Sequence, residues 1–425
     1  MERVALHARR TAAGCSGSDL DPVPAVSLVT RHVIATRAEY LDAVKAISEG
    51  DGPIAVDAER ASGFRYSQRA YLIQVFRRGS GVFLFDPPPI GEFSELQAAI
   101  GQTEWVLHAA SQDLTCLREV GLDPVLIFDT ELAARLLGLP RVGLGTVVED
   151  LLGIHLAKEH SAADWSTRPL PESWLEYAAL DVELLVDLRD RMEELLVEQG
   201  KHLIADEEFN AVLERDLVPV RAEPWRRLSG LHSLRGSRSL AVARELWLAR
   251  DQLAQERDVA PGRLVPDASL LSVARAMPDS KRALADLKTF TGRASRSELD
   301  RWWKATEAGE TTDDLPASRV PSDALPPPRA WADRNPEADA RLKGARVAVG
   351  AVADYLSMPL ENLLTPEFLR RVAWNPPEAL DSASIGEALV ALGARPWQVA
   401  ATAQVISDAF VEAHQPASES AEGDS

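Results

Sequence analysis

Between residues 30 and 200, short apolar runs alternate with longer stretches in which apolar positions recur every three or four residues. The runs predict strands at Ile54–Val56, Ala70–Phe76, Gly81–Phe85, Trp105–His108 and Leu126–Phe128. The helical periods predict helices over Glu92–Ile100, Ser111–Val120 and Thr130–Leu137, and one long helix over Pro171–Gln199. That last helix carries an apolar stripe of Leu175, Tyr177, Ala178, Leu184, Leu185 and Leu188. Hairpin-like strands followed by alternating strand and helix imply a mixed sheet flanked by helices. Residues 225–305 show helical periods without a convincing strand, and residues 331–413 predict helices near 336–356, 366–374, 380–392 and 396–413. Between them, residues 306–330 are rich in Thr, Asp, Ser and Pro and end in three consecutive prolines, the composition of a linker. Residues 1–28 and 414–425 lack periodicity and are expected to be disordered.

The 425 residues are too many for one ordinary domain. The expected division is an α/β domain over 29–215 and two small all-α domains over 225–305 and 331–413. A formal net charge of −19 argues against a polybasic coat for nucleic acid or anionic membrane, while leaving room for a local basic face. Cys15 and Cys116 are the only cysteines, too few for a disulfide framework or a Cys-rich zinc site. Arg9-Arg10 precede Cys15 without the apolar segment that a twin-arginine or lipoprotein signal needs. No stretch approaches the roughly 20 apolar residues of a membrane span. A soluble cytoplasmic monomer is expected.

The chemistry lies in acidic residues. Asp57 and Glu59 are two apart at the end of an apolar run, so their side chains share one face of a strand. Two anions about 4 Å apart repel by roughly 4 kcal/mol at an effective dielectric of about 20. Hard oxygen ligands around a divalent cation relieve that repulsion; a solvated strand terminus is the structural alternative. Asp113 falls in the first turn of a helix that Ser111 would cap, where complementing the helix dipole is the rival role. Tyr177 and Asp181, at i and i+4, share a helix face, where core packing with a satisfied hydroxyl is the ordinary explanation. His108 reads as a strand-end histidine and Trp302-Trp303 as core.

Taken in order, Asp57-Ala-Glu59, His108-Ala-Ala-Ser-Gln-Asp113-Leu and Glu176-Tyr177-Ala-Ala-Leu-Asp181-Val resemble the three motifs of the DEDD exonuclease superfamily, in its tyrosine-containing branch. The stretch from Asp57 to Leu-Ile-Gln74, with Asp164-Trp and Arg168-Pro-Leu170, is similar to ribonuclease D. Residues 225–305 resemble an HRDC domain, and Glu361-Asn-Leu-Leu-Thr365 is similar to that family's second helical repeat. The chain departs from the pattern at Gln112, where many relatives are acidic, and at Arg60, where an aromatic is common.

The resemblance implies a ribonuclease H-like exonuclease domain followed by two HRDC-like domains. It implies a metal-dependent 3′-5′ exoribonuclease acting on structured RNA such as tRNA precursors and releasing 5′-mononucleotides. Asp57, Glu59, Asp113 and Asp181 would hold two Mg²⁺ or Mn²⁺ ions, with the Tyr177 hydroxyl orienting the attacking water. Arg65, Arg69 and Arg168 are candidate phosphate contacts, and the arginines from 226 to 250 either meet nucleic acid or form a solvated helical face. A DNA exonuclease and a catalytically silent binding scaffold are the competing readings.

Overall fold

A computed structural model describes residues 31–156, 163–215, 222–318 and 323–414. The segments expected to be disordered, 1–28 and 414–425, lie outside these residues apart from His414.

Asp51–Arg60 forms the central strand, β2. It lies between the antiparallel Ala70–Arg78 (β3) and the parallel Trp105–Leu107 (β5). Ile54, Ala55 and Val56 are buried without alternation because a central strand is covered on both faces. Gly81–Phe85 (β4) pairs with β3, Val33–Ile34 (β1) with β4, and Ile127–Asp129 (β6) with β5. The resulting six-stranded mixed sheet has the order β1-β4-β3-β2-β5-β6. Strand β2 is longer than the apolar run suggested, so Asp57 and Glu59 sit within the paired strand, opposite Gln74 and Leu72. Hydrogen bonding to β3 carries the strand past the point where its side chains turn polar.

Helices Arg37–Ser48 (α1), Ser94–Ile100 (α2), Leu114–Arg118 (α3), Thr130–Leu136 (α4) and Leu144–Leu152 (α5) flank the sheet. The long helix expected from 171 to 199 is two helices, Glu172–Glu183 (α6) and Leu185–Glu198 (α7), parted at Leu184 (φ −98°, ψ −8°). The break separates two packing tasks. Helix α6 buries Leu175, Ala178 and Ala179 in a separate small cluster and only Val182, near its end, in the main core, where α7 buries Leu185, Leu188, Met192 and Leu196. His202–Glu214 (α8) follows.

Ser237–Arg257 (α9), Asp267–Ala276 (α10) and Leu299–Thr311 (α11) frame the first helical unit. Helix α11 continues through the expected start of the linker. It packs against α9 so closely that a Cβ on Gly309 would lie 2.4 Å from the Val242 Cα. Trp302 is fully buried and its indole N–H donates to the Ala294 carbonyl at 3.0 Å, while Trp303 flanks the same core. Most arginines of the 226–250 segment serve internal contacts. Arg250 donates to Asp267 and the Val265 carbonyl, Arg238 to the Gly309 and Thr312 carbonyls, and Arg244 to Glu245 and Asp314. Only Arg227 and Arg235 of this set are exposed.

The second helical unit comprises Pro336–Tyr355 (α12), Pro366–Trp374 (α13), Ser382–Ala391 (α14) and Pro396–His414 (α15). Its apolar core is continuous with that of the sheet domain. At the joint, the Lys201 ammonium donates to the Leu136 carbonyl at 2.6 Å and the Ser357 carbonyl at 3.3 Å. Glu208 accepts from the Trp397 indole at 2.8 Å and pairs with Arg395. Gly138 (φ +75°) faces Ser357, whose carbonyl oxygen would lie 2.2 Å from an added Cβ. Gly138→Ala therefore combines left-handed strain of about 1–3 kcal/mol with a backbone clash across the joint. Denaturant unfolding should show a loss of at least about 1 kcal/mol, and unchanged stability would refute this account of the joint.

Candidate active site

The site is built from β2, the turn after β5, and α6. Asp57 and Glu59 project from the same face of β2, and Asp181 comes from α6. Oxygens from these three carboxylates all lie within 4.8 Å of one another. All three residues are half-buried, whereas Asp113 is buried beside them. Gln74, opposite Asp57 in the register, is fully buried and donates its amide to the Asp57 carboxylate at 3.3 Å. The Tyr177 hydroxyl hydrogen-bonds Asp181 one helical turn away.

Asp113 reaches the site by a different route from the one the sequence suggested. The expected helix capped by Ser111 is instead a single tight turn, Ala110–Gln112, followed by α3. Asp113 sits at the junction of the two, and its side chain caps neither. Its carboxylate is therefore not spent on the helix end.

Asp129 fixes this turn and was missed in the sequence. Ala109 takes a left-handed conformation (φ +61°), and the amides of Ala109 and Ala110 donate to the Asp129 carboxylate at 3.0 and 2.9 Å. The same carboxylate accepts from Glu131 and Leu132 at the start of α4. An Asp closing an apolar strand just before a helix is the legible signal of such a cap. What the sequence did not show is that this cap also holds a second turn.

Burial and neighbouring negative charge shape the electrostatics. Burial, with Asp57, Asp181 and Asp113 adding to it, pushes Glu59 up to about 10. Burial and then Asp57 push Asp181 up to about 8. Burial raises Asp57, and burial followed by the charge of Asp57 holds Asp113 well above the usual carboxylate range. The Tyr177 hydroxyl is also raised, mainly by burial and then by Asp181, which keeps it protonated. Half-buried Arg60 opposes these shifts at Asp57, Glu59 and Asp113. One guanidinium does not neutralise four carboxylates. The donor set is made of hard oxygens, and its repulsion falls when a divalent cation binds, so these residues fit a Mg²⁺- or Mn²⁺-type centre. His108 belongs elsewhere. Its Nδ1 hydrogen-bonds the Thr130 hydroxyl at 2.9 Å, and burial lowers its pKa to about 4, which keeps the ring neutral.

Among the arginines expected at phosphates, Arg168 is occupied. It forms a two-pronged pair with Asp86 at 2.6 and 2.7 Å and donates to the Tyr71, Trp165 and Thr167 carbonyls, each at 2.7 Å. A guanidinium so engaged staples the approach to α6 and has little left to offer a phosphate. Arg65 donates to the Ser166 hydroxyl at 2.8 Å. Arg69 is exposed, lies over the Tyr71 ring and faces Asp258 at 3.6 Å.

The mixed sheet and its acidic centre define a 3′-5′ exonuclease of the DEDD class, and comparison with known proteins agrees. A family model described as a 3′-5′ exonuclease matches residues 32–197, an HRDC domain model matches 239–306, and a 3′ to 5′ exonuclease C-terminal domain model matches 324–410. Ribonuclease D of Pseudomonas paraeruginosa is 32% identical over 324 residues, covering 74% of this chain and 82% of that protein. Ribonuclease D of Cronobacter turicensis is 34% identical over 232 residues, covering 53% of this chain and 62% of that protein, less than two thirds of its length. Among solved structures, a protein from Bifidobacterium adolescentis superposes with a TM-score of 0.80 at 36% identity, covering 90% of this chain and 97% of that one. Escherichia coli RNase D, described as an exoribonuclease involved in structured RNA processing, superposes with a TM-score of 0.64 at 27% identity, covering 86% and 98%. The chain belongs to the ribonuclease D family of 3′-5′ exoribonucleases.

The raised carboxylates predict a pH dependence. A carboxylate whose folded pKa exceeds its unfolded value of roughly 4 to 4.5 favours folding while protonated, and that contribution is lost as pH rises toward the folded value. Without metal, wild-type melting should therefore fall relative to Glu59→Gln as pH rises from about 5 toward the values of about 8 and about 10 at Asp181 and Glu59. Mg²⁺ or Mn²⁺ should restore it, more strongly at higher pH, because the ligands bind metal deprotonated. A difference between the two proteins that stays flat with pH contradicts this electrostatic account.

Proposed function

We propose that this protein removes nucleotides from RNA 3′ ends by hydrolysis, with the four carboxylates Asp57, Glu59, Asp113 and Asp181 as ligands to two divalent ions, Mg²⁺ or Mn²⁺. The observation that carries the reading is the convergence of Asp57, Glu59 and Asp181 oxygens, from two separate elements, within 4.8 Å of one another. Bound divalent ions would lower the pKa of the attacking water and stabilise the charge that develops on the phosphate and the leaving oxygen.

The protein's own residues have distinct tasks. Gln74 holds the Asp57 carboxylate in orientation. The Tyr177 hydroxyl, kept protonated, is suited to orienting a water and not to deprotonating it. Asp129 fixes the turn that presents Asp113. Arg65 and Arg69, beside the strand that carries the acidic pair, are the proposed contacts to the phosphates of the RNA strand.

A structured RNA precursor such as a tRNA is the proposed natural substrate, supported by what the Escherichia coli relative is described as doing. A monomer acting in the cytoplasm is proposed with it. Among the described residues no helix is long and apolar enough to cross a membrane. The silent-scaffold reading is disfavoured because all four carboxylates are retained. The DNA reading is separated by assay, since the same acidic centre would serve either backbone and the 2′-hydroxyl alone distinguishes them.

The test is digestion of 5′-labelled RNA and DNA of one sequence with Mg²⁺ or Mn²⁺, resolving the shortened products. Wild type should shorten RNA stepwise from its 3′ end and release 5′-mononucleotides. Asp57→Asn and Asp181→Asn should each lower the rate by at least about a hundredfold while the circular dichroism spectrum stays native. Tyr177→Phe should lower kcat with less effect on KM. Equal activity in wild type and both carboxylate variants would sink the assignment, and activity on DNA alone would replace it with the DNA exonuclease reading.

A further inference from the structure

The loop between β2 and β3, residues 61–69, directly follows the acidic pair and is gripped by the first helical unit. Helix α9 ends at Asp258, a non-glycine residue in left-handed conformation (φ +46°). Its carboxylate accepts the Ser67 backbone N–H at 2.8 Å and the Tyr71 hydroxyl at 3.1 Å, and faces the Arg69 guanidinium at 3.6 Å. The Ala260 N–H donates to the Phe64 carbonyl at 3.0 Å. Arg263 donates to the Gly63 carbonyl at 2.7 Å and lies 3.9 Å over the Phe64 ring. Within the last two turns of α9, the Tyr66 hydroxyl donates to Asp251 at 3.1 Å and accepts from the Gln255 amide at 3.0 Å, and its ring packs against the helical unit's core.

Loop 61–69 also leans on the third acidic element. Phe64 packs in the apolar cluster shared with Trp174 and Tyr177, and Arg65 reaches Ser166. The same loop is thus held by the helical unit on one side and by the approach to α6 on the other. Within the loop, Ala61 accepts from the Phe64 and Arg65 amides, Ser62 donates to Gln68, and the Gln68 amide reaches the Tyr66 and Ser67 carbonyls. The contacts that place the loop against the rest of the molecule come from the helical unit and the approach to α6.

We infer that the corner formed by Asp258, Ala260 and Arg263 is a positioning element of the exonuclease site, which sets loop 61–69 so that Arg65 and Arg69 face the incoming strand. Asp258 is the centre of this device. It orients Arg69 through charge and through Tyr71, the ring on which Arg69 rests. The helical unit then influences affinity for RNA without touching the reacting atoms. This inference rests on the assignment of Arg65 and Arg69 to substrate phosphates.

The test uses the full chain with Asp258→Ala and, as a milder surface change, Arg263→Gln. Two readouts are needed, steady-state kinetics on a single-stranded RNA and amide hydrogen exchange of residues 62–69. Both variants should raise KM for RNA about fivefold or more while kcat stays within about twofold. Metal-dependent hydrolysis of the p-nitrophenyl ester of uridine 5′-monophosphate, which carries no further phosphates, should be unchanged. Exchange in the loop should speed up while the α9 and α11 amides stay protected. Arg69→Ala should raise KM alone, and Asp258→Ala added to it should raise KM little further. Faster loop exchange with wild-type KM would overturn the inference, as would unchanged loop exchange in both variants. A wild-type protein without nuclease activity on any substrate would instead defeat the functional assignment, and the exchange data would still report whether the corner holds the loop.

Discussion

Mutual repulsion among crowded, largely desolvated carboxylates is the constraint around which the exonuclease domain is organised. Asp57, Glu59 and Asp181 crowd their oxygens into one small volume, with Asp113 buried alongside. Left to itself, such a group would spread apart or take up protons, and the upward shifts at all four positions express that tendency. The fold resists by anchoring the carboxylates to three separate rigid elements. Two ride on a strand buried on both faces, one on a helix packed under the sheet, and one on a turn tied to Asp129. Rigidity here preserves a destabilised arrangement that a bound cation would compensate.

The rest of the molecule supports that arrangement from two sides. The second helical unit shares a continuous apolar core with the sheet domain, and its joint admits no Cβ at Gly138 and buries Lys201 and Glu208 against specific partners. The first helical unit has its own core and reaches the sheet domain through the loop after the acidic pair. One unit is thus fused to the scaffold, and the other grips the loop that follows the acidic pair. Arg168 supplies a further brace by joining Asp86, at the end of β4, to the chain entering α6.

Much of this was legible in the sequence because the strongest signals are local. Buried central strands read as unbroken apolar runs, and the helices of the second helical unit fell where the period of 3.6 placed them. The three acidic motifs could be recognised from residue order alone. Features set by tertiary contact were harder to read. The break at Leu184 leaves the apolar stripe almost uninterrupted, so only the two packing environments reveal it. Asp113 looked like a helix-turn residue because Ser111 is a good cap by type, yet the turn there is held by Asp129 from another strand. Arg168 looked available for phosphate because nothing nearby in sequence shows that Asp86 lies within its reach. In each case the deciding partner is distant along the chain.

The central claim, that these four carboxylates form one metal centre, is tested most directly by anomalous diffraction from crystals grown with Mn²⁺ and a non-hydrolysable RNA end. The account predicts two anomalous peaks enclosed by Asp57, Glu59, Asp113 and Asp181, with the terminal phosphodiester against them. Strong Mn²⁺ peaks elsewhere and none among these carboxylates would contradict it.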